Sequence, residues 1–302
     1  PIFAYVLRAR QDMNAKFPQA LVTALTHARE PAGLTALLYF LGSLLERHAR
    51  GEPEATYILN NREIWFVPFV NPDGYIANEH VETKMVRKNR RPTCRSGSEE
   101  DGGVDINRNF GFEWRQSHLG CEEEYEGEAP FSEPETRALK SICESNEFRV
   151  AVNLHTYGGM LTHPYNWAWR PRLPDDDDRI YDEIAEVFGW TKFGPAAKTV
   201  GYVASGESDD WMYGAHHIIS MSPEVGPESG GFWPEAKLIA GINERNFGRL
   251  LYVVEKSGLQ LRAKARLRPF EDFRREAGGG EGGGGGGILE EVPPLLGGPP
   301  DF

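Results

Sequence analysis

Apolar positions along the chain fall into two rhythms, and their alternation predicts the elements. Gln19 to Leu25 is a short, mostly apolar run, the pattern of a buried strand. From Leu34 the rhythm changes. Leu34, Leu37, Leu38, Leu41, Leu44 and Leu45 recur at helical spacing and predict a core-facing helix from Leu34 to Ala49. Pro31 stands ahead of it, at a first-turn position where a missing N–H does no harm. Further strands are expected at Ile2 to Arg8, Glu63 to Phe69, Arg149 to Leu154 and Ile218 to Met221. Further helices are expected at Ser132 to Glu147, Asp175 to Phe188 and Glu235 to Lys256. Ser132 and Glu135 have the spacing of a capping box. The acidic run Asp175 to Asp178 suits the positive end of a helix dipole better than a metal site. Asn71-Pro72-Asp73-Gly74 reads as a turn. Between Asn78 and Glu128 the periodicity fades, and a loop that long inside a domain is usually functional. Strands alternating with helices predict an α/β fold with a mixed, mainly parallel, twisted sheet flanked by helices. Residues 1–258 are expected to form one folded domain. Residues 259–302, basic from Leu261 to Arg275 and then rich in Gly and Pro, are expected to be a flexible tail.

Charge narrows the partners. A net charge of -12 and a pI of about 5.2 lack the basic stripe of a nucleic-acid binder, so no nucleic-acid partner is expected. No apolar run approaches the length of a bilayer span. The chain begins at Pro1 without a signal-peptide pattern and reads as a fragment or processed form, which hides its compartment. Three cysteines cannot build a full disulfide framework. Cys94 and Cys121 flank a loop-rich stretch and could pair, whereas Cys143, in a helical pattern, reads as a buried thiol.

Chemistry concentrates at strand ends. His27 and Glu30 stand three apart where the strand from Gln19 hands over to a helix, the place where α/β proteins put active sites. Alone, the pair reads more plainly as a surface His beside a helix N-terminal Glu. His155, at the end of another strand, changes that. Two His and one Glu with an open fourth position is the donor set of a hydrolytic zinc. Glu224, past a further strand, is a spare carboxylate fit to act as general base. Asp105 could hold a ligand His from behind.

These residues stand in motifs whose order resembles the zinc metallocarboxypeptidase family of the pancreatic carboxypeptidase A and B type. From about Ile2 to Lys256 the chain carries His27-Ala28-Arg29-Glu30, Asn71-Pro72-Asp73-Gly74-Tyr75, Arg87-Lys88-Asn89-Arg90 and Val104-Asp105-Ile106-Asn107-Arg108-Asn109. Later come His155-Thr156-Tyr157, Tyr202-Val203-Ala204-Ser205-Gly206, Ser208-Asp209-Asp210-Trp211 and Pro223-Glu224. The resemblance implies a zinc carboxypeptidase-like catalytic domain over residues 1–258. It implies one Zn2+ ion on His27, Glu30 and His155, with Asp105 holding His27 and Glu224 as base. Arg87 would help polarise the scissile carbonyl, a charge that develops only in the transition state. Asn107, Arg108 and Tyr202 would grip the terminal carboxylate of a peptide or protein, for which a guanidinium fork is suited. Arg29 and Tyr157 would be further substrate contacts. Asp209 matches the base of the pocket for the leaving side chain, where a carboxylate would favour Lys or Arg. Glu207 would reinforce that preference or merely decorate the loop, and Asn166, polar and neutral, does not decide. The resemblance also implies a cis peptide at Thr156–Tyr157.

Some features depart from the pattern. The family's domain usually has a further helix and strand before the segment matching Ile2, so the amino-terminal edge of the sheet reads as truncated. Pro223 stands where the pancreatic enzymes carry Phe, a form closer to distant microbial or protist members. A monomer is expected, and a secreted or extracellular location is slightly favoured by the resemblance, with a cytoplasmic one left open. Two alternatives remain: a zinc deacylase of small N-acyl amino acids, and a non-catalytic peptide-binding relative.

Overall fold

In the computed structural model, which describes residues 1–9, 16–80, 84–94, 102–258 and 288–292, strands and helices alternate as the pattern predicts. β1 (Ala4–Arg8) and β2 (Gln19–Ala24) lead into α1 (Pro31–Ala49) and α2 (Pro53–Asn61), and β3 (Glu63–Val67) is followed by α3 (Pro72–His80). A long irregular stretch containing a 3-10 turn at Ile106–Arg108 reaches α4 (Pro134–Ser145) and β4 (Phe148–Leu154). Then come β5 (Met160–Thr162), α5 (Asp175–Phe188), β6 (Lys192–Gly194), α6 (Ala196–Thr199) and α7 (Ser208–His216). β7 (Ile219–Glu224), α8 (Ala236–Lys256) and β8 (Ile288–Val292) complete the order.

The strands form one mixed sheet in the order β6-β5-β7-β4-β2-β3-β1-β8. Its centre is parallel: β2 pairs with both β3 and β4, and β4 pairs with β7. Antiparallel pairs lie outside it, at β1–β3, β1–β8 and β5–β7. The parallel centre has one consequence for function, because β2, β4 and β7 all deliver their following residues to the same edge. Both faces are covered. Leu37, Phe40 and Leu44 of α1 pack with Ile58 and Leu59 of α2 and with Leu250, Val253 and Val254 of α8 on one side. Leu139, Ile142 and Cys143 of α4 pack with Trp211 and Met212 of α7 on the other. Each such side chain contributes roughly 1.5–3 kcal/mol by leaving water.

Several expectations change in detail. Of the α1 stripe, Leu38 is 46% exposed, because a straight helix can turn only one arc of its surface to the sheet. The expected turn at Asn71 is the start of α3: Asn71 Oδ1 accepts the Gly74 N–H at 3.0 Å, which caps the helix, and Pro72 follows. The capping box is not made. α4 starts at Pro134, and Asn109 Oδ1, from the long loop, accepts from Glu133 N and Thr136 Oγ1 instead. β7 runs on through Pro223 to Glu224, so Glu224 is the last strand residue and does not lie beyond the strand. Proline is tolerated there because only its carbonyl is used, accepting the His155 N–H at 3.1 Å. Five residues expected in the flexible tail form β8, antiparallel to β1 with Ala4 opposite Val292 and Arg8 opposite Ile288. The apolar run Ile288-Leu289 and Val292 suits a strand, and β1 offers it an edge with unpaired backbone groups. The remainder of the tail lies outside the described residues.

Candidate active site

The loop after β2 is tied down before it presents anything. Leu25 has a positive φ of 54°, which turns the chain sharply, and its carbonyl accepts the Asn71 N–H at 2.9 Å. The Ala28 N–H then donates to the Arg87 carbonyl at 3.1 Å. Glu30 is the residue preceding α1. In the first turns of α1, Gly33 lies so close to β4 that an added Cβ would meet the Leu154 carbonyl oxygen at 2.9 Å. That approach carries Glu30 to His155, the residue after β4.

Three donor groups consequently converge. Glu30 Oε1 is 2.9 Å from His27 Nδ1, and Glu30 Oε2 is 2.9 Å from His155 Nδ1 and accepts the Thr156 N–H at 3.1 Å. The two Nδ1 atoms are 3.1 Å apart. All three residues are buried, and among the described residues they form the one group of this kind whose ligand atoms lie within 4.8 Å of one another. Donors about 2.0–2.1 Å from a tetrahedral zinc stand roughly 3.3 Å from each other, so this spacing fits a single small cation. The chemistry of the set agrees, since two imidazole nitrogens facing each other need a proton or a cation between them. Burial pushes the Glu30 carboxyl up, but the two imidazoles outweigh it and hold it far below the usual range, as an anion.

A charged layer backs this centre. Asp105, fully buried, accepts from His27 Nε2 at 3.2 Å and from Asn107 N at 3.0 Å through Oδ1. Its Oδ2 takes Arg87 Nε at 2.9 Å and Nη2 at 2.7 Å. Burial would raise the Asp105 carboxyl, yet Arg87, His27 and Arg108 together hold it well below the ordinary range. Asp105 therefore fixes a ligand ring and Arg87 at once. Glu224, bridged to His155 along the strand ends, is drawn into the same charge field, with burial and the Glu30 charge pushing its carboxyl up to about 8.

His27, Glu30, His155, Arg87, Glu224, Asn107, Arg108, Tyr202, Arg29 and Tyr157 all line a single cavity of about 540 Å³. Asn107 Oδ1 is taken by Ser208 N and Oγ at 3.0 and 2.9 Å, which turns its amide nitrogen as the group available to a ligand. The cationic side chains are already paired with carboxylates. Arg29 reaches Glu123 at 2.5 Å and lies over the Phe232 ring at 3.9 Å. Arg108 meets Glu124 at 3.3 Å and Glu207 at 3.0 Å. Thr156–Tyr157 is a cis peptide, as the resemblance implies, and Pro164–Tyr165 is a second one that nothing in the sequence signalled. Cys94 and Cys121 are disulfide-bonded, next to the acidic run Glu122 to Glu124, and Cys143 is a buried thiol raised by burial.

Asp209 is the exception. It is 1% exposed, its Oδ1 accepts from Asn153 Nδ2 at 2.6 Å, and it does not line the cavity. The carboxylate that lines the cavity from this segment is Glu207. The reason is helical: Glu207 precedes α7 and Asp209 lies inside its first turn, and each residue turns the side-chain direction by about 100°. The missed signal was the Gly206-Glu207-Ser208 approach to that helix, whose first residues point to different faces. The roles of Glu123 and Glu124 as partners of Arg29 and Arg108 had no local signal.

The sequence profile described as zinc carboxypeptidase matches residues 4–249. Zinc carboxypeptidase A 1 of Drosophila melanogaster is 31% identical over 252 residues, 78% of this chain and 55% of that protein. An inactive metallocarboxypeptidase of Ajellomyces dermatitidis is 33% identical over 159 residues, 50% of this chain and 26% of that protein. The chain thus spans about half the length of the first relative and a quarter of the second. Among solved structures, carboxypeptidase A of Helicoverpa armigera superposes with a TM-score of 0.72 at 23% identity, covering 84% of this chain and 64% of that one. That likeness concerns the fold.

Proposed function

The chain belongs to the zinc carboxypeptidase family, and from that premise we propose that it hydrolyses the C-terminal peptide bond of peptides or proteins as a metallocarboxypeptidase. The observation that carries the reading is the meeting of His27, Glu30 and His155 in a cavity that also contains Glu224, Arg87 and Arg108. His27, Glu30 and His155 hold the family's zinc. Bound there, the ion supplies Lewis acidity, which lowers the pKa of water and polarises a carbonyl. The chain's own groups do the rest. Glu224 takes a proton from the attacking water and returns it to the departing amine nitrogen. Arg87, held by Asp105, donates toward the oxygen on which charge develops. Arg108, Asn107 and Tyr202 hold the terminal carboxylate, which fixes the enzyme as an exopeptidase, and Arg29 and Tyr157 contact the peptide further upstream. A preference for basic C-terminal residues is supported by the carboxylate of Glu207 in the cavity wall. The Cys94–Cys121 disulfide supports an oxidising, secreted or extracellular setting. Among the described residues no helix is long and apolar enough to cross a membrane.

Metal analysis together with release of C-terminal Arg, Phe and Glu from matched peptides tests the reading. One zinc per chain, cleavage of free acids and inhibition by a chelator are expected. Arg108→Ala should lose discrimination against C-terminally amidated peptides, and an unchanged preference for free acids would remove Arg108 from this role. The inactive Ajellomyces relative raises a second reading, binding without cleavage. Tight peptide binding with no release of amino acids by the zinc-loaded protein would establish it.

A further inference from the structure

Arg245 and Arg249 stand one turn apart on α8, and both line a second cavity, of about 210 Å³, that shares Gly159 with the active-site cavity. Among the described residues none that lines it is acidic, and neither guanidinium is paired with a carboxylate, in a chain whose net charge is -12. Like charges at this helical spacing repel. Burial, and then the charge of Arg245, accordingly push the Arg249 guanidinium below its ordinary pKa. Arg249 is nevertheless held in place. Its Nη1 donates to Asn246 Oδ1 at 3.1 Å, its Nη2 to the Phe188 carbonyl at 2.6 Å, and it lies over the Trp190 ring at 4.5 Å. Phe188 ends α5, so these contacts also tie α8 to that helix end. Nothing of the kind accounts for Arg245, which is exposed and folds back along α8, with Nη1 3.3 Å from where a Cβ on Gly241 would stand.

The side chains around this cavity present donors. Asn246 Oδ1 already accepts from Arg249, and its Nδ2 donates to the Ile242 carbonyl at 2.8 Å. Trp190 Nε1 has no acceptor among the described residues, and it lies 3.6 Å from where a Cβ on Gly159 would stand. Gly159 has a φ of 62°, a conformation that favours glycine, so that space is kept open. Two positive charges and an indole N–H match a divalent oxyanion, which only accepts hydrogen bonds and which arginine forks meet well. A monovalent carboxylate would leave one of the charges unmatched, and a neutral ligand would leave the two guanidiniums repelling each other. The cavity lies behind the strand end that carries Glu224: the Gly159 N–H donates to the Glu224 carbonyl at 2.9 Å, and the Gly158 N–H to that of Gly226 at 3.2 Å.

We propose that Arg245, Arg249 and Trp190 form a binding site for a divalent oxyanion of the sulfate or hydrogen phosphate type, separate from the active site. The site stands independently of the hydrolytic reading. Calorimetry on the zinc-loaded protein with sodium sulfate and sodium phosphate at pH 8 and constant ionic strength tests it, with sodium acetate as the monovalent control. Melting temperature alone does not serve, because sulfate stabilises folded proteins by exclusion from their surface. Saturable binding of both divalent ions is expected, with acetate weaker by about tenfold. Arg245→Gln, at an exposed position where the fold does not depend on the side chain, should weaken sulfate by about 10- to 100-fold, and Arg249→Gln should do likewise. Trp190→Phe, which keeps a ring under Arg249 and removes the N–H, should weaken it by about threefold to tenfold. Arg108→Ala, which alters the cationic group in the active-site cavity, should keep the binding event that Arg245→Gln loses. Sulfate binding that disappears in Arg108→Ala and is unchanged in Arg245→Gln places the ion in the active-site cavity and overturns the proposal. No saturable binding up to about 50 mM overturns it too, as does acetate binding as tightly as sulfate.

Discussion

Glu224 is half-buried at the end of β7, and loss of water together with the charge of Glu30 keeps its proton on. A divalent cation held by His27, Glu30 and His155 would favour the ionised form of Glu224, which is the condition a general base requires. Glu224→Gln should therefore retain zinc, measured by metal content, while kcat falls by roughly two to four orders of magnitude. Activity within tenfold of wild type would place the base elsewhere. Glu207 makes a prediction about pH. Burial pushes its carboxyl up to about 7, against the pull of Arg108 and with Asp209 adding to the rise. His155, Asp210, Glu224 and Tyr202 also act on it or are acted on by it. Below this value Glu207 is neutral and tolerates an apolar residue, and above it the anion demands a cation. The Arg:Phe ratio of kcat/KM should accordingly climb as pH rises through about 7 and stay flat in Glu207→Gln. Taking the ratio cancels whatever the metal ligands and Glu224 contribute, because both substrates share them. A wild-type ratio that is level from pH 5.5 to 8.5, about 1.5 units either side, would contradict this assignment.

At the scale of elements, the site depends on how closely α1 approaches β4. An Ala at position 33 would put its Cβ 2.9 Å from the Leu154 carbonyl oxygen, and the obstacle is backbone, which cannot swing aside. Gly33→Ala should cost about 1–3 kcal/mol of stability. It should also weaken zinc binding, because Glu30 rides on the same helix turn and would be drawn away from His155. Thermal unfolding and competition with a chelator measure the two effects, and wild-type values in both would show that the helix can shift without disturbing the site. The helix stripe, the strand runs and the acidic first turn of α5 were legible in the sequence, since each is a local periodicity or a local charge pattern. The three-residue strands β5 and β6 were not, because so short a run has no period to detect. The capping of α4 was misread because Asn109, distant in sequence, supplied what Ser132 and Glu135 could have supplied locally.

At the scale of the whole molecule, β8 covers the outer edge of β1. Ending the chain after Gly258 should leave β1 with unpaired N–H and C=O groups. Such a protein is expected to melt several degrees lower and to scatter light on storage, and an unchanged melting temperature and clear solution would show that the β8 pairing contributes nothing. The sequence by itself determined the α/β class and the three residues that meet as a metal-binding group, because these follow from local patterns and from motifs kept in order along the chain. It also determined that Cys143 is a buried thiol and that Cys94 and Cys121 were candidates to pair. Only the tertiary structure decided which carboxylate faces the pocket, since Glu207 and Asp209 differ by a rotation about α7 that no residue pattern records. It alone decided that Arg108 and Arg29 rest against Glu207, Glu124 and Glu123. Those pairs join segments far apart in sequence, and such partners are chosen by how the chain packs, after local structure has formed.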